Sequence, residues 1–144
     1  SRKYLKSIGI SVLYNQRKVI TVNNKKILIG GVPDIRTSPI GQSPKAVLKN
    51  LNENVDLKIL LAHQPKSCFA AEKAGFDVQL SGHTHAGQFY PWTWAVHLVQ
   101  PYIKGLNKHK NMWVYVNPGT GYWGPPLRTG PKAEITEIKF KPLT

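Results

Sequence analysis

Two short apolar runs joined by a helical segment are the feature that most constrains the fold. The first run, residues 57–62, is too apolar to alternate, which is typical of a strand buried on both faces of a sheet. The second run, residues 78–80, also predicts a strand and stops at a serine–glycine pair. Between them, Ser67 can cap a helix over residues 68–74, which Gly75 is placed to end. This strand–helix–strand pattern predicts an α/β fold.

Both predicted strands end on histidine. His63 follows the first strand, and His83 and His85 follow the second within the sequence Gly-His-Thr-His-Ala-Gly. In an extended or turn-like conformation, residues two apart can point the same way, so both rings can face one ion. Ligand sites of open α/β sheets lie outside the carboxyl ends of the strands, which is where all three rings would be. Neutral imidazole binds zinc, iron and manganese, so we expect a partial metal site.

What the sequence lacks near these histidines limits the expected site. There is no helical His-Glu-x-x-His pattern and no cysteine cluster, and the nearby acid Asp77 lies at the wrong end of its strand. An isolated His-x-His is more often a core or loop element than a metal ligand. The flanking glycines and the additional His63 reverse that preference in favour of a metal site.

Turn chemistry and hydrophobic patterns place the other elements. Residues 1–7 are typical of the last turns of a helix that ends near Gly9. The Asn23-Asn24 pair predicts a hairpin turn, and a serine–proline pair opens a helix over about residues 43–50. Strands are predicted at residues 8–13, 19–22, 25–29, 112–116 and 135–140.

An aromatic segment, residues 89–99, has two interpretations. It contains Trp92 and Trp94, and several lysines follow it. It is either a helix packed on the domain, which we favour, or a lipid-facing cap, because tryptophan with nearby lysine suits a membrane interface.

The charge balance indicates an anionic partner but does not identify which kind. Twenty Lys and Arg against 7 Asp and Glu give a net charge of +13, which attracts nucleic acid, anionic lipid head groups or phosphorylated substrates. The lysines are scattered and no nucleic-acid-binding motif accompanies them, so nucleic acid is the disfavoured partner. The single cysteine, Cys68, excludes an intrachain disulfide and is expected to be packed in its helix.

Three stretches carry a resemblance to a known family. Leu-Leu-Ala-His-Gln-Pro stands at residues 60–65, and Leu-Ser-Gly-His-Thr-His-Ala-Gly-Gln stands at residues 80–88. The late loop, Tyr-Val-Asn-Pro-Gly-Thr-Gly at residues 115–121 and Pro-Pro-Leu-Arg at residues 125–128, is the third. Together they resemble the C-terminal half of the calcineurin-like metallophosphoesterases, in particular the bacterial branch that often carries an N-terminal membrane anchor.

The resemblance implies a fold and a site. The fold is α/β, the C-terminal half of a two-sheet β-sandwich flanked by helices. Residues 1–144 would then be the C-terminal part of one domain whose N-terminal half is absent. The activity implied is phosphoester hydrolysis at a centre of two divalent ions, manganese, iron or zinc. His63 and His83 would bind one ion and His85 the other.

The family's remaining motifs are missing from this chain. Asp-x-His, Gly-Asp and Gly-Asn-His, which supply the other ligands and the histidine thought to assist the leaving group, do not occur. We therefore expect the catalytic residues in the absent half, which would be this chain's partner. Two ions need a bridging carboxylate, so the chain alone is expected to bind a transition metal weakly and to be inactive.

Five further residues carry weaker interpretations. Gln88 and Arg128 lie in motif-like loops and can touch the phosphate of a substrate, although a loop-bracing glutamine and a solvated arginine are the alternatives. Asp34 either faces the site or forms a turn. His97, with His109, is expected to be structural or exposed.

The function expected of the intact protein is metal-dependent hydrolysis of a phosphorylated substrate. One alternative is a basic module that binds nucleic acid or a membrane without catalysis. Another is a scaffold that retains the histidines without chemistry. An anionic membrane surface stays open as a partner, and the location stays open between the bacterial inner membrane and the cytoplasm.

Overall fold

The computed structural model describes residues 2–36 and 39–141, and these residues form helices packed on a β-sheet. The helices are α1 (Arg2–Ser7), α2 (Pro44–Leu48), α3 (Cys68–Ala74) and α4 (Trp92–Val99), with 3₁₀ turns at Pro65–Ser67 and His85–Gly87. The strands are β1 (Gln16–Val22), β2 (Lys25–Gly31), β3 (Leu57–Leu61), β4 (Val78–Ser81), β5 (Gly105–His109) and β6 (Met112–Val116).

The strands form one six-stranded mixed sheet in the order β1-β2-β3-β4-β6-β5. The four inner strands, β2, β3, β4 and β6, run parallel, and β1 and β5 pair antiparallel at the two edges. Helices lie between consecutive parallel strands, as parallel pairing requires a long crossover. The predicted α/β fold is confirmed.

The parallel arrangement brings four strand ends to one edge of the sheet. Asp34, His63, His83 and Asn117 each follow one of the inner strands within three residues. The register continues past β3 and β4, since the Gly82 amide donates to the His63 carbonyl at 3.1 Å. The two histidines are therefore held side by side by backbone pairing.

The core lies where α2 and α3 cover the inner strands. Leu28, Leu60 and Val114 of the sheet are fully buried, as is Cys68 of α3. An added Cβ on Gly30 of β2 would lie 2.7 Å from a Val47 methyl carbon, so a small residue is needed for α2 to pack here.

Most of the locally encoded elements are confirmed. The Asn23-Asn24 turn has positive φ at both residues, 49° and 60°, and joins β1 to β2. Ser43 caps α2 by accepting from the Ala46 amide. Gly75 ends α3 in the left-handed conformation at φ 94°.

Three expectations about elements need correction, and one strand was missed. Residues 8–13 and 135–140 are not strands, and β5 was not predicted from the sequence. Alternation at 135–140 is present, but no described strand pairs with it, and Ile135 is 92 % exposed. Ser67 is not a side-chain cap, because its hydroxyl donates to Gln42. It is the last residue of the 3₁₀ turn Pro65–Ser67, which leads directly into α3.

No helix among residues 2–36 and 39–141 is both long and apolar enough to cross a bilayer.

Candidate metal centre

A pair of imidazole rings lies at the carboxyl ends of β3 and β4. His63 Nε2 and His83 Nδ1 are 3.1 Å apart, and the ring centroids are 4.8 Å apart at an interplanar angle of 69°. Two neutral rings satisfy this contact when one nitrogen donates and the other accepts. The nitrogens point at each other and leave the pair accessible from the cleft described below.

The spacing of this pair fits two ligands of one ion. Nitrogen ligands about 2.0–2.1 Å from a metal are separated by roughly 2.9 Å at a right angle and 3.4 Å at the tetrahedral angle. The observed separation of 3.1 Å lies between those values. Small shifts that open the direct contact would therefore let both nitrogens bind the same cation.

The backbone around the second strand end is strained. Four residues other than glycine have positive φ between positions 83 and 88, namely His83 (72°), His85 (49°), Ala86 (52°) and Gln88 (54°). Each such residue costs on the order of 1 kcal/mol, and such strain concentrates at functional sites. Thr84 holds the turn, because its hydroxyl donates to the Ile103 carbonyl at 2.6 Å.

This turn gives His83 and His85 different neighbours. His83 contacts His63, whereas His85 Nδ1 lies 3.4 Å from Arg128 Nη2. Within the described part of the chain, no three His, Cys, Asp or Glu side chains are grouped as ligands of a single ion. The different neighbours of His83 and His85 do not favour a single ion shared by these two rings, and metal binding by either ring stays a prediction.

The surroundings lower the pKa of both loop imidazoles, His83 and His85, which favours the neutral form. Burial lowers the pKa of His83, and the neighbouring His63 lowers it further, against an opposing effect of Asp34. Burial also lowers the pKa of His85, with the Arg128 guanidinium as the next cause. Neutral imidazole is the form that binds a metal.

Arg128 is a brace for the late loop rather than a solvated side chain. Its Nη2 donates to the carbonyls of Pro118 and Gly121, and its Nη1 donates to the Lys132 carbonyl at 3.3 Å. These bonds hold a fixed positive charge beside His85. Contact with a substrate phosphate stays a prediction for this residue.

Comparisons with curated proteins place this sequence among phosphoesterases. It is 45 % identical over 97 residues to an uncharacterized metallophosphoesterase of Helicobacter pylori, covering 66 % of this chain and 26 % of the relative. It is 35 % identical over 148 residues to a transmembrane protein with metallophosphoesterase domain of Bos taurus, covering 93 % and 33 %. It is 32 % identical over 146 residues to the phosphodiesterase YaeI of Escherichia coli, covering 94 % and 49 %.

The chain belongs to the calcineurin-like metallophosphoesterase family. It spans about a quarter to a half of the length of these curated relatives. No protein-family model matches the chain, and no solved structure matches it.

Gln88 of this metallophosphoesterase chain braces the same late loop. Its side chain is fully buried, with Oε1 accepting from the Trp123 amide at 2.8 Å. Its Nε2 donates to the carbonyls of Trp123 and Pro125 at 3.0 and 3.1 Å. These bonds give Gln88 the loop-bracing role, and a contact with substrate stays a prediction.

Asp34 both forms a turn and lies near the histidine pair. Its carboxylate accepts from the Arg36 amide at 3.1 Å, forming a turn, and from Gln64 Nε2 at 2.7 Å. Burial raises the pKa of Asp34, but these hydrogen bonds and the nearby His63 and His83 leave it below the usual value. Asp34 therefore adds negative charge beside the histidine pair.

A group of buried glutamines behind the histidines was missed by sequence reasoning. Gln79 of β4 donates to Ser81 Oγ at 2.8 Å and to the carbonyls of Gln64 and Pro65. Gln64 in turn accepts from Gln100 Nε2 at 3.4 Å. The available signal was the polar residue inside the short apolar strand β4, since a buried amide needs partners.

Helix α4 forms the remaining wall of the site. The helix predicted in the aromatic segment is confirmed, and it is packed only on one side, because Thr93, Ala95 and Val96 are half-buried and no residue of α4 is fully buried. Trp94 is 71 % and Leu98 87 % exposed. The helix approaches the site through Thr93, which lies against the backbone of Gly87. Between α4 and the histidines is a cleft of about 520 Å³.

Proposed function

We propose that this chain supplies ligands to both ions of a two-metal phosphoesterase centre. His63 and His83 would hold one ion and His85 the other. The observation that carries the proposal is the 3.1 Å spacing of the His63 and His83 nitrogens, which suits a shared cation. The different surroundings of His85 support its assignment to a second ion.

When bound, two divalent ions would activate water as a nucleophile and stabilise the charge that develops on the phosphoryl oxygens. The chain's own residues prepare that site. The lowered pKa values of His83 and His85 favour the neutral form that binds a metal, and the Arg128 charge beside His85 would attract the phosphate anion. The Asp34 carboxylate adds negative charge beside the histidine pair, which would attract a cation to it.

We further propose that hydrolysis belongs to the intact protein and that this chain alone is inactive. Three imidazoles leave both ions short of ligands, and they provide no carboxylate to bridge two dications. Manganese, iron and zinc all suit nitrogen ligands.

Metal-dependent turnover tests this function. Purified protein containing this chain is treated with a chelator and then assayed on a 4-nitrophenyl phosphoester while manganese, iron or zinc is restored. We expect turnover to return with metal in the intact protein, and His83→Ala to abolish it. His97→Ala is the matched control, because His97 is exposed and lies outside the histidine site. Metal-independent turnover, or equal loss in both variants, would refute the proposal.

A second candidate role is docking on an anionic membrane surface. The observation that favours it is α4, whose apolar residues include none that are buried. The net charge of +13 would add electrostatic attraction to anionic lipid. This role is compatible with catalysis, and the test for it is given with the predictions below.

A further inference from the structure

One face of α4 is directed at the histidine site. Trp92, Ala95, Val96 and Val99 all line the cleft, and they follow the i, i+3, i+4, i+7 spacing of a single helical stripe. Trp94 and Leu98 lie outside this cleft, around the other side of the helix. The cleft therefore has an apolar wall built by a continuous helical face.

This wall is continuous with the histidines. His63, His83 and His85 line the same cleft, and Trp123 of the late loop lines it as well. The Trp92 and Trp123 rings are 6.1 Å apart and tilted by 43°. A polar site with metal-ligating nitrogens thus opens directly onto an apolar wall that carries two indole rings.

The wall has neither the burial of a core nor the polarity of an ordinary surface. Trp92 is 43 % and Trp123 41 % exposed, so apolar area faces the open cleft. A volume of about 520 Å³ is in the range of small-molecule sites, which are mostly apolar with a few placed polar groups. Exposed apolar surface gathered in this way marks a binding site.

The charges around the cleft favour an anion. Arg36 lines it together with the histidines, and the described residues that line it include no aspartate or glutamate. A ligand with a phosphate at the histidine end and an uncharged, apolar remainder matches this distribution.

We propose that the cleft is the subsite for an apolar substituent, so that the substrate is a phosphate ester of a hydrocarbon or aromatic alcohol. This inference rests on the proposed phosphoesterase function. The phosphate would lie at the histidines and the organic group along the α4 stripe. Turnover adds water across the ester, giving the free apolar alcohol and the phosphate product.

Chain-length dependence of binding tests the subsite. Protein containing this chain is titrated calorimetrically with methyl, butyl and octyl phosphate, below micelle-forming concentrations. Phenyl phosphate is titrated in the same way to test whether the subsite binds an aromatic group. Full burial of a methylene contributes about 0.8 kcal/mol, close to fourfold, so in an open cleft we expect about two- to threefold tighter binding per carbon. No gain from methyl to octyl, with none for phenyl, would overturn the proposal. A gain for phenyl alone would assign the subsite to aromatic alcohols.

Two variants and one control locate the effect. Val96→Ser places a hydroxyl in the wall and should reduce the octyl-to-methyl affinity ratio at least about fivefold. Ala95→Leu fills the cleft, and should weaken octyl phosphate while leaving methyl phosphate unchanged. Leu98→Ser makes a similar polar change outside the cleft and should leave the ratio unchanged. Equal effects of Val96→Ser and Leu98→Ser would contradict the proposal.

The same panel separates this inference from the function on which it rests. Metal-dependent turnover of a compact ester with no chain-length preference would refute the apolar subsite alone. Chain-length-dependent binding without turnover of any ester in the intact protein would refute the phosphoesterase function and retain the subsite.

Discussion

Gly87 sets the position of α4, and replacing it with alanine should be unusually costly. Two separate effects apply there. Its φ of +77° is one that a residue with a Cβ adopts with strain. An added Cβ would also lie 2.9 Å from the Thr93 nitrogen and closer still to its Cα, so the backbone of α4 would have to move.

Three glycines separate these two effects. Gly82→Ala introduces neither, since its nearest neighbour would be the Asn117 oxygen at 3.8 Å. Gly75→Ala introduces strain alone, at φ +94° with no atom within 4 Å. We expect a change within about 0.5 kcal/mol for Gly82→Ala and a loss of about 1 kcal/mol for Gly75→Ala. Gly87→Ala adds roughly 1–3 kcal/mol of overpacking, for a total of about 3 kcal/mol.

Denaturant unfolding of the three variants, followed by circular dichroism, measures these differences. The wild-type protein is unfolded in parallel, so that each loss is a difference in the free energy of unfolding. A Gly87→Ala loss equal to that of Gly75→Ala would refute the close contact between Gly87 and α4. A large loss in Gly82→Ala would show that the loop geometry itself is wrong.

Three other predictions follow from the same structure. Gln88→Ala should lower the free energy of unfolding by about 2–4 kcal/mol, because the late-loop groups that hydrogen-bond to Gln88 would lose their partner. The control Gln16→Ala, at an exposed position, should change it little, and similar losses in both variants would contradict the role of Gln88 in holding the loop. Burial raises the pKa of Cys68 from 9.0 to about 11, so at pH 8 its thiolate fraction is about 100-fold below that of the unfolded chain. Alkylation of the native protein should be slow by the same factor, and rapid alkylation would contradict the burial of Cys68. Trp94→Ala should reduce co-sedimentation with phosphatidylserine vesicles without loss of fold, while Leu106→Ala, also an exposed apolar residue, should not; equal binding by both variants would exclude α4 as the membrane contact.

The strand-end histidines could be predicted because their determinants are local. Continuous apolar runs indicate buried strands, and Gly75 marks the helix end between them. Parallel strands on either side of a helix then place His63 and His83 at one edge without further information. The resemblance added the family, which the comparisons confirm.

Other features depend on tertiary contacts that a local pattern does not contain. Residues 135–140 alternate as a strand should, but a strand also needs a neighbour with free backbone groups. The aromatic segment is apolar enough to be buried, yet no residue of α4 is buried, because burial depends on which other elements pack against the helix. Asp34 acquires its place beside the histidines only because β2 pairs with β3.

The conformation of the His-Thr-His turn also escaped sequence reasoning. Spacing alone allows both rings to face one ion. Positive φ at His83 and His85 gives the rings different neighbours, and positive φ is uncommon enough for residues other than glycine that the sequence did not predict it.

Direct metal binding tests the central claim, that His63 and His83 share an ion. Manganese and zinc titrations by calorimetry are compared for the wild-type protein, His63→Ala, His83→Ala and the exposed control His97→Ala. We predict that either site variant loses metal affinity about 100-fold or more, because loss of a direct ligand should weaken binding at least as much as loss of a group that orients a ligand. The control His97→Ala should bind metal as the wild type does. Unchanged affinity in both site variants would contradict the assignment of this pair as metal ligands.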